Sequence, residues 1–501
     1  MNWYLFGLIL YISMLIIISL LASRKIENAS DFMVAGRKMP FWLLAFTFAG
    51  LWFGGGTVIG TTGTTLDLGI WSTTEAWGVI PDPYGAGLCL ILAGLFYFGP
   101  IRRMGGVTLA DYFTARFGRP SGLLSTIVMM LGWIFWVAAQ VVVIGKVFVA
   151  VLGWPYELSI WIGMALVVIY TVAGGLWSVA LTDFVQILLI LIGIIVAVPL
   201  GLNAVGGWET VTETLPKDMI SFFPTKAAGT GFGVRWLPWI AGWIIIGFGS
   251  IASPDITQVA QSGKGDRQVR NASISAGLVY WVFGSLLIVL GLVGATMLAE
   301  GIISRADIAN DPELIMPVMV MKLFPLPVAV LFVAAILAAV MSSTDGALLA
   351  LSTLFTKNIL RDSFRASLPE KRVVLIGRIV VVVFAVVTTL IGINYPFVFL
   401  LMNFGFDTLL AGLFVPLTLG IYWKRANDVG FFAGVATGVF VRVILAGILE
   451  GWGFETVMYP ANWYIYTVVA PIANLVAMVA VSLIFSGRSS GREPVPQEAA
   501  S

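Results

Sequence analysis

The sequence predicts an all-α integral membrane protein of about thirteen transmembrane helices, with a core of five plus five helices in inverted repeat. Three observations predict it. The 501 residues are 59% hydrophobic and 11% charged, and apolar stretches of about 18 or more residues recur along nearly the whole chain, each able to cross the roughly 30 Å hydrocarbon layer as a helix. Alternating barrel-type strands are absent, so helices must satisfy the backbone within lipid. Finally, glycine and proline interrupt two spans that lie five spans apart, in GLWFGGGTVIG (50–60) and GFGSIASPD (247–255). Interrupted helices at corresponding positions of two halves mark an inverted-repeat fold, whose unwound backbone offers carbonyls and helix ends at mid-membrane. A GxxxG packing face at Gly56 and Gly60 and a simple kink at Pro254 are the plainer readings of the same residues.

Taken in order, residues 3–22 form a first span with no basic residue ahead of it and Arg24 and Lys25 just behind, which puts the N-terminus outside. A cleavable signal would carry the opposite flank and a shorter apolar region, so this helix, within residues 1–30, is retained as an extra one. Spans at 41–68, 74–99, 120–150, 157–174 and 178–203 make a first repeat over 31–203. Spans at 232–252, 272–298, 326–357, 373–393 and 397–422 make a second over 204–425. Two trailing spans near 429–450 and 463–486 occupy 426–487, and 488–501 is a short disordered tail. The odd number of spans puts the C-terminus in the cytoplasm. The basic residues agree, because Arg102, Arg103, Arg116, Arg119, Lys264, Arg267, Arg270, Arg361, Arg365, Lys371, Arg372, Lys424 and Arg425 all fall in loops that this topology makes cytoplasmic. The expected location is the cell (inner) membrane.

Composition excludes several classes. A net charge of +2 argues against nucleic acid as a partner. Cys89 is the single cysteine, so no intrachain disulfide forms. The absence of histidine removes imidazole metal sites, Ser-His-Asp triads and imidazole proton relays together. No GxxxxGK[ST] phosphate loop occurs, and the longest polar stretches, near 204–230 and 299–316, are too short for a nucleotide-binding domain. The expectation is a chain that is not an enzyme, with lipid as its surroundings and no cofactor.

One span carries polar groups at mid-depth: VAAILAAVMSSTDGALLALSTLF (333–355). On a helix, Ala339, Ser342, Ser343 and Gly346 fall at i, i+3, i+4 and i+7 and share a face, with Asp345 one turn beyond Ser342. Serines at such spacing also serve as packing contacts between membrane helices. A carboxylate is different, because its burial is costly unless it faces the protein interior and meets a partner, and clustered oxygens suit a small hard cation such as sodium.

Three motifs in order, TLADYFTARFG (108–118), YTVAGGLWSVALTDFVQ (170–186) and AAVMSSTDG (338–346), resemble the sodium:solute symporter family. The resemblance implies a LeuT-like five-plus-five fold and inward transport of a small organic solute coupled to sodium by alternating access. It implies a sodium site from the carbonyls of Gly50, Phe53 and Ala339 and the hydroxyls of Ser342 and Ser343. Family members with a second sodium site place an aspartate on core helix 5 facing helix 8, which here is Asp183; at the helix 8 position where they use serine this chain has Asp345, so a second cation site from Asp183, Ser342 and Asp345 is expected.

WFGGG (52–56), FWVAA (135–139), GGLWSVALTDFVQ (174–186) and the run from Asp407 to Arg442 resemble the high-affinity choline transporter branch. Quaternary ammonium groups donate no hydrogen bond and are recognised by aromatic faces and a negative field. Trp52 and Trp136 match cage tryptophans of that branch, whereas Ala252 and Ala86 stand where it has aromatic rings. Trp77 or Tyr84 on core helix 2 are candidates to replace them, and Glu75 is a candidate to face the solute. Choline or a related quaternary ammonium is the first expectation for the solute. An amino acid such as proline, or a small carboxylate, is the alternative, and a transporter-like membrane sensor is the reading from a different class.

Overall fold

The computed structural model describes residues 3–71, 78–225, 232–364, 369–458 and 462–486. Among these residues, eleven helices are long and apolar enough to cross a membrane, and two shorter apolar helices accompany them. With two further short helices, α3 and α9, which follow the helix breaks, the helices in chain order are α1 (Trp3–Ser23), α2 (Phe41–Gly50), α3 (Thr61–Leu68), α4 (Ile80–Arg103), α5 (Arg119–Leu152), α6 (Tyr156–Ile169), α7 (Gly175–Ala204) and α8 (Arg235–Ala252). There follow α9 (Pro254–Ser262), α10 (Asp266–Ala299), α11 (Leu326–Ser363), α12 (Glu370–Asn394), α13 (Val398–Tyr422), α14 (Asp428–Glu450) and α15 (Trp463–Ile484). No strand occurs among the described residues. Each expected span has its helix, so hydropathy alone carries the architecture of this multi-pass membrane protein.

Both expected interruptions are breaks rather than bends. Between α2 and α3 the chain turns through 51–54 and then runs as a wide turn over Gly56–Gly60. Between α8 and α9, Phe248 leaves the helix, Gly249–Ala252 tightens to a 3-10 turn, and Ser253 is extended (φ −75°, ψ 145°). Proline at the first position of α9 needs no N–H there and so restarts the helix at little cost.

Close backbone crossings set the remaining geometry. A Cβ on Gly132 (α5) would lie 2.8 Å from the Gly405 carbonyl oxygen (α13), and one on Gly405 would lie 2.6 Å from that of Gly132. Reciprocal small residues of this kind let two membrane helices touch through their main chains. Gly175 separates α6 from α7 with φ 51°, and a side chain there would meet the Phe32 ring at 2.6 Å.

Between α13 and α14 a buried ion pair joins Asp407 to Arg442, each side chain 3% exposed. The Arg442 guanidinium also donates to the carbonyls of Val457 (2.8 Å) and Met458 (2.9 Å). The helix Leu109–Phe117, too short and amphipathic for a hydropathy scan, opens with a capping box between Thr108 and Asp111. Asp111 then accepts from Asn358 Nδ2 (2.8 Å) and pairs with Lys357, tying this cytoplasm-assigned segment to the end of α11.

Candidate functional site

The serines of α11 face the break after α2. Ser342 and Ser343 each donate to the Gly50 carbonyl at 3.2 Å, and Ser342 also bonds Asp183 of α7. The approach depends on missing side chains. A Cβ on Gly54 would fall 2.1 Å from Ser343 Oγ and 2.7 Å from its Cβ, and a Cβ on Gly50 would fall 3.0 Å from the Asp183 side chain. Gln140 on α5 fixes the same loop by accepting from the Gly55 N–H at 3.0 Å. Glycine therefore lets a carbonyl and two hydroxyls converge where no larger residue fits. Such a set of neutral oxygens suits sodium. Phe53 and Ala339, whose carbonyls the resemblance adds, are both buried, at 1% and 0% exposure.

Asp183 and Asp345 are fully buried and interact electrostatically. Tyr11 of α1 accepts from Gln186 Nε2 of α7 at 2.7 Å. The extra first helix thus packs on α7 and α11, the two helices that carry these carboxylates, a pairing that no sequence feature of α1 announces.

The aromatic part of the site is a packed cluster. The Trp52 ring sits 5.9 Å from that of Phe406, on which Trp133 (5.9 Å) and Trp136 (5.1 Å) also pack. Trp52 Nε1 donates to Asp255 Oδ2 at 2.8 Å. Its carbonyl accepts from the Tyr280 hydroxyl at 2.6 Å and from Thr57 Oγ1 at 3.1 Å. Thr57 also reaches both Asp82 oxygens, at 3.0 and 2.8 Å. Trp52 and Trp136 are thus joined through Phe406, which crosses from α13 beside Gly405.

Of the other expected solute contacts, Tyr84 joins a different cluster, with its ring 5.0 Å from Phe222 and 6.1 Å from Trp243 and its hydroxyl on Ser285. Glu75 and Trp77 lie outside the described residues. A cavity of about 1330 Å³ lies beside the end of α3, lined among others by Gly63, Lys146, Tyr156, Glu313 and Phe399. None of the described candidate residues lines it.

The model of the sodium:solute symporter family matches residues 32–438. The chain belongs to this family. The human high affinity choline transporter 1 is 29% identical over 425 residues, covering 83% of this chain and 71% of the relative. The osmoregulated proline transporter OpuE of Bacillus subtilis is 26% identical, covering 95% of this chain and 93% of the relative. Among solved structures, a substrate-bound, outward-open sodium-coupled sialic acid symporter superposes with a TM-score of 0.79 at 20% identity, over 96% of this chain and 98% of that one. That likeness establishes the fold.

Set against the symporter fold, several residues at the site were not singled out from sequence. Trp133 and Gln140 share one helix face with the expected Trp136, the three falling at i, i+3 and i+7 in the order Trp133, Trp136, Gln140, a spacing visible in GWIFWVAAQ (132–140). Thr57, Tyr280, Asp255 and Phe406 carry no local signal, because each reaches the site only through a crossing between distant helices.

Proposed function

We propose that this symporter imports a small organic cation, with choline or a related quaternary ammonium compound as the leading candidate. Transport is by alternating access across the cell membrane, with the N-terminus outside and the C-terminus cytoplasmic. The observation that carries this reading is the placing of Trp52 at the break between α2 and α3, its indole held by Asp255 and its ring in one cluster with Trp136. Aromatic faces with carboxylates behind them attract a desolvated cation, worth up to about 2 kcal/mol per ring. The similarity to choline transporters supports the same solute class. Proline, whose ring nitrogen is also cationic, is the second reading, supported by the similarity to a proline transporter. A ligand that binds the folded protein raises its stability by mass action. Thermal unfolding of the purified protein should therefore shift upward with choline or betaine, and further when sodium is present. No shift with any organic cation, in sodium or without it, rejects the class.

In this reading one sodium binds at Gly50, Phe53, Ala339, Ser342 and Ser343, and a second cation binds between Asp183, Ser342 and Asp345. Two carboxylates so close in a buried setting need positive charge between them. Reversal potentials in proteoliposomes should give two cations per solute, falling to one in Asp345→Asn. A ratio of one, unchanged by that substitution and by pH, counts against the second site. No cofactor enters this mechanism.

A further inference from the structure

Asp82 lies on α4 with its carboxylate turned into the break of the first core helix. It is 2% exposed, and its partner is the Thr57 hydroxyl, at 2.8 and 3.0 Å, which in turn bonds the Tyr280 hydroxyl. No Lys or Arg pairs with it among the described residues. Gly56 lies beside it and lets the Met402 thioether approach, since a Cβ there would stand 3.7 Å from Asp82 Oδ2 and 2.6 Å from Met402 Sδ. The Trp52 carbonyl belongs to the same cluster, because Thr57 and Tyr280 both donate to it. A buried carboxylate without a counter-charge is costly, and a cation brought from outside offsets that cost.

The surroundings also say what kind of cation fits. A fully alkylated ammonium needs ring faces, and here only Trp52 and Trp136 could offer them, because Ala86 and Ala252 are buried and add none. What this corner supplies instead is acceptors: two carboxylate oxygens, a main-chain carbonyl and two hydroxyls contributed by α4, α10 and the loop after α2. Acceptors so grouped are best met by N–H donors. Across the cluster the supply reverses. Trp133 Nε1, Trp136 Nε1 and Gln140 Nε2 are buried donors with no partner among the described residues, fit to receive the oxygen at the other end of such a solute.

We propose that Asp82, backed by Thr57, Tyr280 and the Trp52 carbonyl, receives the N–H of the solute's ammonium group, so that the site selects protonated amines over fully alkylated ones. This rests on the organic-cation reading above and, within it, places amines that keep an N–H ahead of choline itself. Asp255 is not needed for it, because its oxygens are engaged by the Ile256 N–H (2.6 Å) in the first turn of α9 and by Trp52 Nε1, so that it holds the indole.

Dimethylethanolamine and choline differ by one methyl group in place of one N–H, and at neutral pH both are cations. Titrated against the thermal stability of the purified protein in sodium, dimethylethanolamine should bind at least tenfold tighter than choline. In Asp82→Asn the two should come within about twofold of each other, through loss of dimethylethanolamine binding. The wild-type comparison stands alone if that variant fails to fold, and Tyr280→Phe, which removes one hydroxyl of the cluster, should narrow the ratio in the same direction. Choline binding as tightly as dimethylethanolamine in the wild type overturns the role of Asp82 while leaving organic-cation transport intact. Binding of neither compound overturns both.

Discussion

Uptake by a Ser342→Ala, Ser343→Ala double variant is expected to lose its response to sodium over the range that saturates the wild type. Each serine brings one hydroxyl to the Gly50 carbonyl at 3.2 Å, and each is fully buried, so no water replaces the oxygen removed. A lost polar contact in such a place costs about 1–2 kcal/mol, which is roughly a tenfold rise in half-saturating sodium for either single change. The two serines share one carbonyl, so their effects need not add, and the double variant will fall near or beyond a hundredfold only if they do. Initial uptake rates against sodium concentration, with folding checked by elution as a single species, supply the measurement. An unchanged sodium dependence in both single variants would reject the assignment of the ion to this face of α11.

The Asp407→Ala variant should be the least stable single substitution in the second half of the chain. It leaves the Arg442 guanidinium, 3% exposed, with only the carbonyls of Val457 and Met458. Removing one partner of a buried pair typically costs about 3–5 kcal/mol, whereas replacing both with apolar residues of similar size is often close to neutral. Thermal unfolding in detergent should therefore show a large loss for Asp407→Ala and recovery of most of it in Asp407→Leu, Arg442→Met. A single variant as stable as the wild type rules out a structural role for the pair.

Hydropathy made the thirteen helices legible because each must satisfy its backbone inside lipid whatever its neighbours are. The breaks were legible because glycine and proline act locally, at Gly54 to Gly56 and at Pro254. Ser342 and Ser343 stood out for a third local reason, their spacing on one face of an apolar span. The rest of the site lies in pairings between helices. Phe406 reaches Trp52 and Trp136 only because Gly132 and Gly405 let two main chains touch, and Tyr280 reaches Trp52 from a helix more than two hundred residues away. Tyr84 shows the same limit: its position on core helix 2 suggested the solute, and nothing local in the sequence announces that its ring packs with Phe222 and Trp243. The helix Leu109–Phe117 escaped detection as a helix for want of apolar length, although its sequence carried one of the family motifs.

The Gly50 carbonyl has one further implication. Its oxygen accepts from Ser343 at 3.2 Å, and Ser342, whose Oγ lies 3.2 Å from the same oxygen, shares its one hydrogen with Asp183. A single main-chain carbonyl thus ties the end of α2 to α11 and, through Ser342, to α7. A change at Asp183 is therefore a change in where α2 ends as well as a change in charge.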